Sequence, residues 1–285
     1  MKKYMAYPYG VWMVVFIIAP ILLVVFYAFT DKSGALTLSN FTSMMEYMSI
    51  FGRSFLLAFA ATVVCLLLGY PLAYIMSRQP PRWQSFYMML IMLPMWMNFL
   101  LRTYAWMSIL ENNGFINQFL QNIGFIDLLN RILQPESPIR YLPLINTGGA
   151  VVLGMVYNFL PFMVLPIYNV LIKIDGKVIE AAQDLGAPSR TVFRRVIFPL
   201  SMPGVVSGIT MVFVPAVSTF VISKTLGGGK EMLIGDLIDL QFMGNAYNPQ
   251  LGSAIALVMM VLVFLCMFIM NRFDDGSKEE GGLLL

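Results

Sequence analysis

Runs of about twenty apolar residues recur along this chain, the length an α-helix needs to cross the hydrocarbon core of a bilayer. That length leaves few possible folds. A backbone in hydrocarbon must satisfy its own N–H and C=O groups, which only helices and closed barrels do. Barrels are written in short alternating segments, whereas these runs are solid. The expected fold is an all-α polytopic membrane protein, with residues 1–285 forming a single membrane domain. The charge content agrees, since only 12% of the 285 residues are charged, about half the share usual in soluble domains.

Six spans are expected, at about Val11–Thr30, Ser54–Ser77, Ser85–Ile109, Thr147–Ile172, Leu200–Ser223 and Leu251–Asn271. The first follows Met1-Lys2-Lys3, as a signal peptide would. It is longer than a signal's apolar region, however, and no small-x-small site follows it, so it is expected to stay attached. With the N-terminus inside, the inner segments hold eleven Lys and Arg and the longer outer loops six. Both termini, including a short tail at 274–285, are therefore expected in the cytoplasm. Pro94, Pro161, Pro166 and Pro215 fall within spans and predict kinks. Gly204-Val-Val-Ser-Gly208 permits close helix contact and is read as packing within the chain. The residues Met107–Asn146 predict a short amphipathic helix at the outer surface.

Chemistry is sparse. There is no histidine, which removes the commonest metal ligand and general base. Cys65 and Cys266 lie inside apolar runs and read as small hydrophobes. "GGGK" at Gly227–Lys230 invites comparison with a phosphate-binding loop. Lys224 stands where that motif needs its first glycine, however, and Glu231 where it needs Ser or Thr. It reads as a glycine turn, and no metal site or catalytic constellation is expected.

The informative stretch is "KVIEAAQDLGAPSRTVFRRVIFP", Lys177–Pro199. Asp175 is placed to cap a helix from about Gly176, and Gly186 to stop it. Ser189 is placed as a second N-cap, with a helix over Arg190–Phe198 ended by Pro199. A helix–turn–helix at 173–199, lying parallel to the membrane on the cytoplasmic side, follows. A solvated loop with a basic bias explains its charges. It does not explain Ala181-Ala182 beside Glu180, nor Val192 and Phe193 on a polar element, which suggest a docking helix.

Glu180-Ala181-Ala182, three residues, Gly186, nine residues, then Val196-Ile197-Phe198-Pro199 resembles the EAA motif of ABC importer permeases. "LLLGYPLAY" (Leu66–Tyr74), "NFLLRTYAW" (Asn98–Trp106), "YNFLPFMVLPIY" (Tyr157–Tyr168) and "LGGGKEMLIGDLIDLQF" (Leu226–Phe242) extend the likeness over roughly residues 50–270. They are similar to the spermidine/putrescine permease subfamily, in particular to its first permease subunit. The resemblance implies a type I (MetI-like) importer permease fold in a bacterial inner membrane. It also implies a non-catalytic subunit that binds no cofactor, with ATP and Mg²⁺ held by a separate ATPase. The implied partners are two ATPase copies, a second homologous permease, an extracytoplasmic solute-binding protein and membrane lipid; nucleic acid is not expected. Glu180, Ala181, Ala182, Asp184, Gly186, Phe193, Arg194 and Arg195 would then couple to the ATPase.

Related permeases for iron, thiamine, sulfate or phosphonate share the hairpin, and a stand-alone carrier or channel is the reading from another class. A carrier would want ionisable groups at mid-membrane, and these are scarce here. Ammonium groups bind carboxylates and aromatic faces, which makes Tyr104, Trp106, Glu111, Asp236 and Asp239 candidates for a polyamine path. Asp127, Glu136 and Glu231 are further outward acids. Asp236 and Asp239 are three apart and share a helical face. Arg102 would repel a polycation, so it is expected to pair with an outer acid or with helix carbonyls; a gate is the alternative.

Overall fold

The computed structural model describes residues 7–133, 138–244 and 246–282; Lys2, Lys3 and Glu136 lie outside these. The described residues form helices joined by turns, with one isolated bridge between Thr30 and Leu36. In chain order the helices are α1 (Pro8–Ala28), α2 (Ser39–Met44), α3 (Met48–Ser77), α4 (Pro81–Trp96), α5 (Phe99–Leu110), α6 (Phe115–Asn122) and α7 (Phe125–Leu133). They continue with α8 (Gly148–Leu171), α9 (Gly176–Asp184), α10 (Ser189–Ser218), α11 (Val221–Leu226), α12 (Ile234–Met243) and α13 (Pro249–Gly282). Among the described residues five helices, α1, α3, α8, α10 and α13, are long and apolar enough to cross a membrane, and six if α4 and α5 count as one span.

The centre is a triple contact of α3, α8 and α10. Glycine makes it possible. A Cβ on Gly204 would stand 2.8 Å from the Pro166 carbonyl oxygen and 3.0 Å from Ile167 Cα, and one on Gly208 would stand 2.8 Å from Met163 Sδ. On the third helix, a Cβ on Gly69 would meet Met163 Cγ at 3.0 Å. The small residues thus let α3 and α10 close on one stretch of α8, which buries Met155, Met163, Val164 and Ile167. The Gly204–Gly208 pair packs within the chain, as its pattern predicts. Around this core α13 touches α10 and α12, and α1 packs on α13 while burying only Ala28.

Four expectations need correction. The third span is not one helix: the chain breaks at Met97–Asn98, with a bend of 89° between α4 and residues Phe99–Asn122. Pro94 weakens the end of α4, and the Asn98 side chain accepts the N–H groups of Leu100 and Leu101 and starts a new helix. The second hairpin helix does not end at Pro199 but runs on through α10, and Pro188 takes the N-cap position expected for Ser189. A π-helical turn at Phe193–Ile197 accommodates the proline. Its wider turn moves aside the Arg195 carbonyl against which the ring would otherwise clash. Pro20 follows a π turn at Val14–Ile18 in the same register. The fifth span stops at Ser218 and restarts as α11, and the outer amphipathic helix is two, α6 and α7, joined at Gly124 with φ of 72°.

Gly204→Val should separate α8 from α10 and lower stability by about 1–3 kcal/mol through overpacking. Gly52→Ala, where a Cβ meets nothing within 4 Å, should be neutral or stabilising by up to about 1 kcal/mol. Denaturant titration of the two purified variants checks the contrast.

Candidate functional site

At one end of the core stands the hairpin. The Asp175 carboxylate accepts the Lys177 N–H at 3.0 Å and starts α9. The helix closes with the Gly186 N–H on the Gln183 carbonyl (2.8 Å) and the Ala187 N–H on the Ala182 carbonyl (3.2 Å). This paired closure needs a left-handed residue, and Gly186 supplies it with φ of 80°. Glu180, Ala181, Asp184, Gly186, Arg194 and Arg195 are exposed, and Ala182 is half-buried. Leu185 is 88% exposed. It is not among the sequence-based candidates; its i+4 spacing from Ala181, on one helical face, was the available signal.

Phe193 faces the other way. Its ring stands edge-on to Tyr74 at 5.5 Å and to Tyr70 at 5.9 Å, both on α3. Val192 and Ile197 are buried beside it. Tyr70 and Ser201 share a hydrogen bond of 2.8 Å, so α3 and α10 are joined by a polar contact directly beneath the aromatic one. Gln84 donates to the Ser77 and Gln79 carbonyls and accepts from the Tyr168 hydroxyl at 3.0 Å, which fixes the α3–α4 corner to α8. The hairpin is therefore a rigid extension of the core with a charged outer face.

The opposite end holds most of the remaining charge. Arg53 of α3 pairs with Glu231, whose side chain is largely buried. The neighbouring Ser54 hydroxyl accepts the Ile234 N–H at 2.8 Å. Asp236 caps its own helix by accepting the Leu233 N–H at 2.9 Å, and Lys224 donates to Asp239 at 3.1 Å. Ser223, Lys224, Glu231, Asp236 and Asp239 line a cavity of about 180 Å³. Burial pushes the Asp236 carboxyl above its ordinary value, against the opposing effects of Ser223, the Leu233 N–H and Lys224. The glycine turn borders this site, with φ of 55° at Gly228 and 76° at Gly229. It packs on Asn146, whose N–H donates to the Leu226 carbonyl. A turn between two short helices is not a phosphate-binding loop, and no cluster of metal ligands occurs among the described residues.

The structure thus brings Asp236 and Asp239 together, as their spacing predicts, and adds Glu231. It does not bring Tyr104, Trp106 or Glu111 to this cavity. Tyr104 and Glu111 are exposed, and Trp106 stands edge-on to Tyr157 at 5.4 Å. Arg102 is 8% exposed, and its Nε and Nη1 have no acceptor among the described residues. Its guanidinium lies 5.8 Å from the Phe99 ring centre. Among the described residues it forms no ion pair with an outer acid: Glu231 and Asp239 hold Arg53 and Lys224, and Asp236 is engaged as a cap.

Arg53→Ala should cost more stability than Glu231→Gln. It strands a buried carboxylate, whereas the amide leaves a half-exposed guanidinium in water. The double variant should recover part of the loss, by about 1–3 kcal/mol. Thermal unfolding of the three variants measures the coupling.

Comparison with known proteins matches these features. Residues 66–278 match the family described as binding-protein-dependent transport system inner membrane component. The spermidine/putrescine transport system permease protein PotB of Haemophilus influenzae is 36% identical over 92% of this chain and 90% of its own length. PotB of Escherichia coli K12 is 34% identical over 92% and 93%. In fold, the chain superposes on one from a bacterial ABC transporter involved in the import of the acidic polysaccharide alginate. That match has a TM-score of 0.79 at 13% identity over 98% of this chain and 95% of the other. A chain of the MetNI methionine ABC transporter gives 0.56 at 17% identity over 82% and 98%. This chain belongs to the family of binding-protein-dependent transport system inner membrane components.

Proposed function

We propose that this chain is the permease subunit of an ATP-driven importer and forms half of a translocation path for the polyamines spermidine and putrescine. The observation that carries the importer reading is the exposed Glu180–Arg195 hairpin clamped to α3 through Phe193. The substrate reading rests on near full-length similarity to two spermidine/putrescine permeases. The acid-lined cavity supports it, because a cation there offsets the cost of holding Asp236 ionised in a buried place.

In this reading the hairpin lies in the cytoplasm, as do both termini, and docks in a groove of the ATPase. Two copies of that subunit hold ATP and Mg²⁺; the permease itself is not an enzyme and binds no cofactor. Ala181 and Ala182 allow close approach. Glu180, Asp184, Arg194 and Arg195 offer charge-assisted contacts, and Leu185 offers an apolar one. Phe193 does not touch the ATPase but passes its motion to α3. Because α10 is continuous from the hairpin into the core, a displacement of the hairpin rotates α10 as a lever, and a second, homologous permease moves in concert. Substrate arrives from an extracytoplasmic solute-binding protein at the end that carries Glu231, Asp236 and Asp239. Tyr104, Trp106 and Glu111 lie on the route at most as outer contacts. In a bacterial inner membrane lipid covers the remaining apolar surface.

Leu185→Asp and Glu180→Lys should each abolish uptake and co-purification of the ATPase while leaving membrane insertion and thermal stability unchanged, since both side chains are exposed. Gly186→Ala should cost about 1–2 kcal/mol of local strain and reduce uptake less. Normal uptake and ATPase co-purification in the first two variants at normal membrane levels would refute a docking role.

Uptake of labelled spermidine and putrescine should be restored when the chain is returned to cells lacking it. Unlabelled polyamine should compete, and iron, thiamine, sulfate and phosphonate should not. Competition by one of those solutes would reassign the substrate and leave the importer standing, whereas activity without an ATPase would favour a carrier.

A further inference from the structure

We propose that α6 and α7 form a paddle that rests on the lipid of the outer leaflet. The two helices carry more bare apolar surface than an element in water needs. Asn117 is 0% exposed, while Phe115 and Ile132 are each 71% exposed. Two asparagines are used inward. Asn117 donates to the Glu111 and Leu142 carbonyls and accepts the Leu142 N–H, and Asn130 exchanges two hydrogen bonds with Ile139. Outside stands a row of Phe115, Phe119 and Ile123, continued on α7 by Leu128 and Ile132, and the exposed Gln118, Gln121, Asp127 and Arg131 make the two helices amphipathic. Phe115 and Phe119 are stacked with their rings nearly parallel, at 15°. An apolar face backed by satisfied polar groups is built for an apolar medium.

The level of the paddle follows from the bend before it. Trp96 is exposed at the end of α4, where an interfacial tryptophan stands in a crossing helix. From there the chain turns by 89° into residues Phe99–Asn122, and with α4 crossing the bilayer this arm runs along the membrane plane rather than through it. The turn after α5 is short, and Asn117 pins α6 to it through Glu111. The paddle is thereby held at headgroup depth, continuous with the exposed Leu100, Leu101 and Tyr104 of α5. A solute-binding protein that comes and goes would leave this face bare in water between visits; a lipid surface covers it permanently. The face also has little to offer a protein partner beyond contact, since Asp127 and Arg131 are the only charges on α6 and α7.

The test places p-benzoylphenylalanine at Phe119 or Ile132 in the intact transporter and irradiates cells grown with labelled phosphate. The expected result is a phospholipid adduct as the main product at both positions. The same residue at Leu185 should give an ATPase adduct in parallel, which establishes that the complex is assembled. With assembly so established, a main adduct to the partner permease or the solute-binding protein, or no lipid adduct at all, would overturn the proposal. A second readout is a fluorophore on Phe119→Cys or Ile132→Cys in the transporter reconstituted with brominated phospholipid. The lipid reading expects several-fold quenching relative to unbrominated lipid, and unchanged emission counts against it.

Discussion

The approach of α3 and α10 to α8 sets the geometry of everything else. In an apolar solvent helices gain little from hiding hydrophobic surface, so contact distance and packing decide whether they associate. Gly69, Gly204 and Gly208 remove the side chains that would hold the backbones apart, and all three converge on residues 163–167 of α8. Once α8 is gripped from two sides, its ends are fixed. The hairpin emerges from its C-terminal end, and its N-terminal end meets Asn146 and the glycine turn. The two functional regions are therefore held at opposite ends of one stiff contact.

That stiffness gives the hairpin its mechanical meaning. A short helix joined to the core only by a loop would absorb a push. Here the π turn carries the chain past Pro199 without a break, and the Phe193–Tyr70–Tyr74 cluster ties the same segment to α3. The Tyr70–Ser201 hydrogen bond joins α3 to α10 one layer deeper. In the proposed coupling role, force on the exposed face would reach two core helices at once. A π turn is also a weaker piece of helix than its neighbours, which places the compliant point of the lever where it leaves the hairpin.

Much of this was legible in the sequence, and the failures have physical reasons. Span lengths and the hairpin's first helix are local properties, so Asp175 and Gly186 could be read from residue type and spacing alone. Pro94 predicted a kink in the third span, but that the helix breaks at Met97–Asn98 was missed because hydropathy continues across it, although Asn98 as a cap was an available signal. Pro199 was read as a stop because proline breaks an α-helix; a π turn removes the clash, and nothing in a sequence announces one. Phe193 was assigned to the docking face because it sits in a charged run, and only the position of α3 shows it turned inward. The Arg53–Glu231 pair joins residues 178 apart in sequence, beyond any pattern in the chain.

Charge at the outer end is organised by the same economy. Each acid there has a task that keeps it near the cavity: Glu231 pairs with Arg53, Asp239 with Lys224, and Asp236 caps α12. The site is consequently close to neutral and does not present three bare carboxylates, so in the proposed path an arriving ammonium would compete with Lys224 more than fill a void. Such a site would hold a cation loosely, which suits passage better than capture, since a path must release what it binds. Arg102 fits the same logic from the opposite sign. It is buried, its Nε and Nη1 have no acceptor among the described residues, and it lies over Phe99, on a helix that packs against α11, which carries Lys224. In the proposed path its charge would work against a cation settling there, and the balance between that repulsion and the acids of α12 would set how firmly a polycation is held.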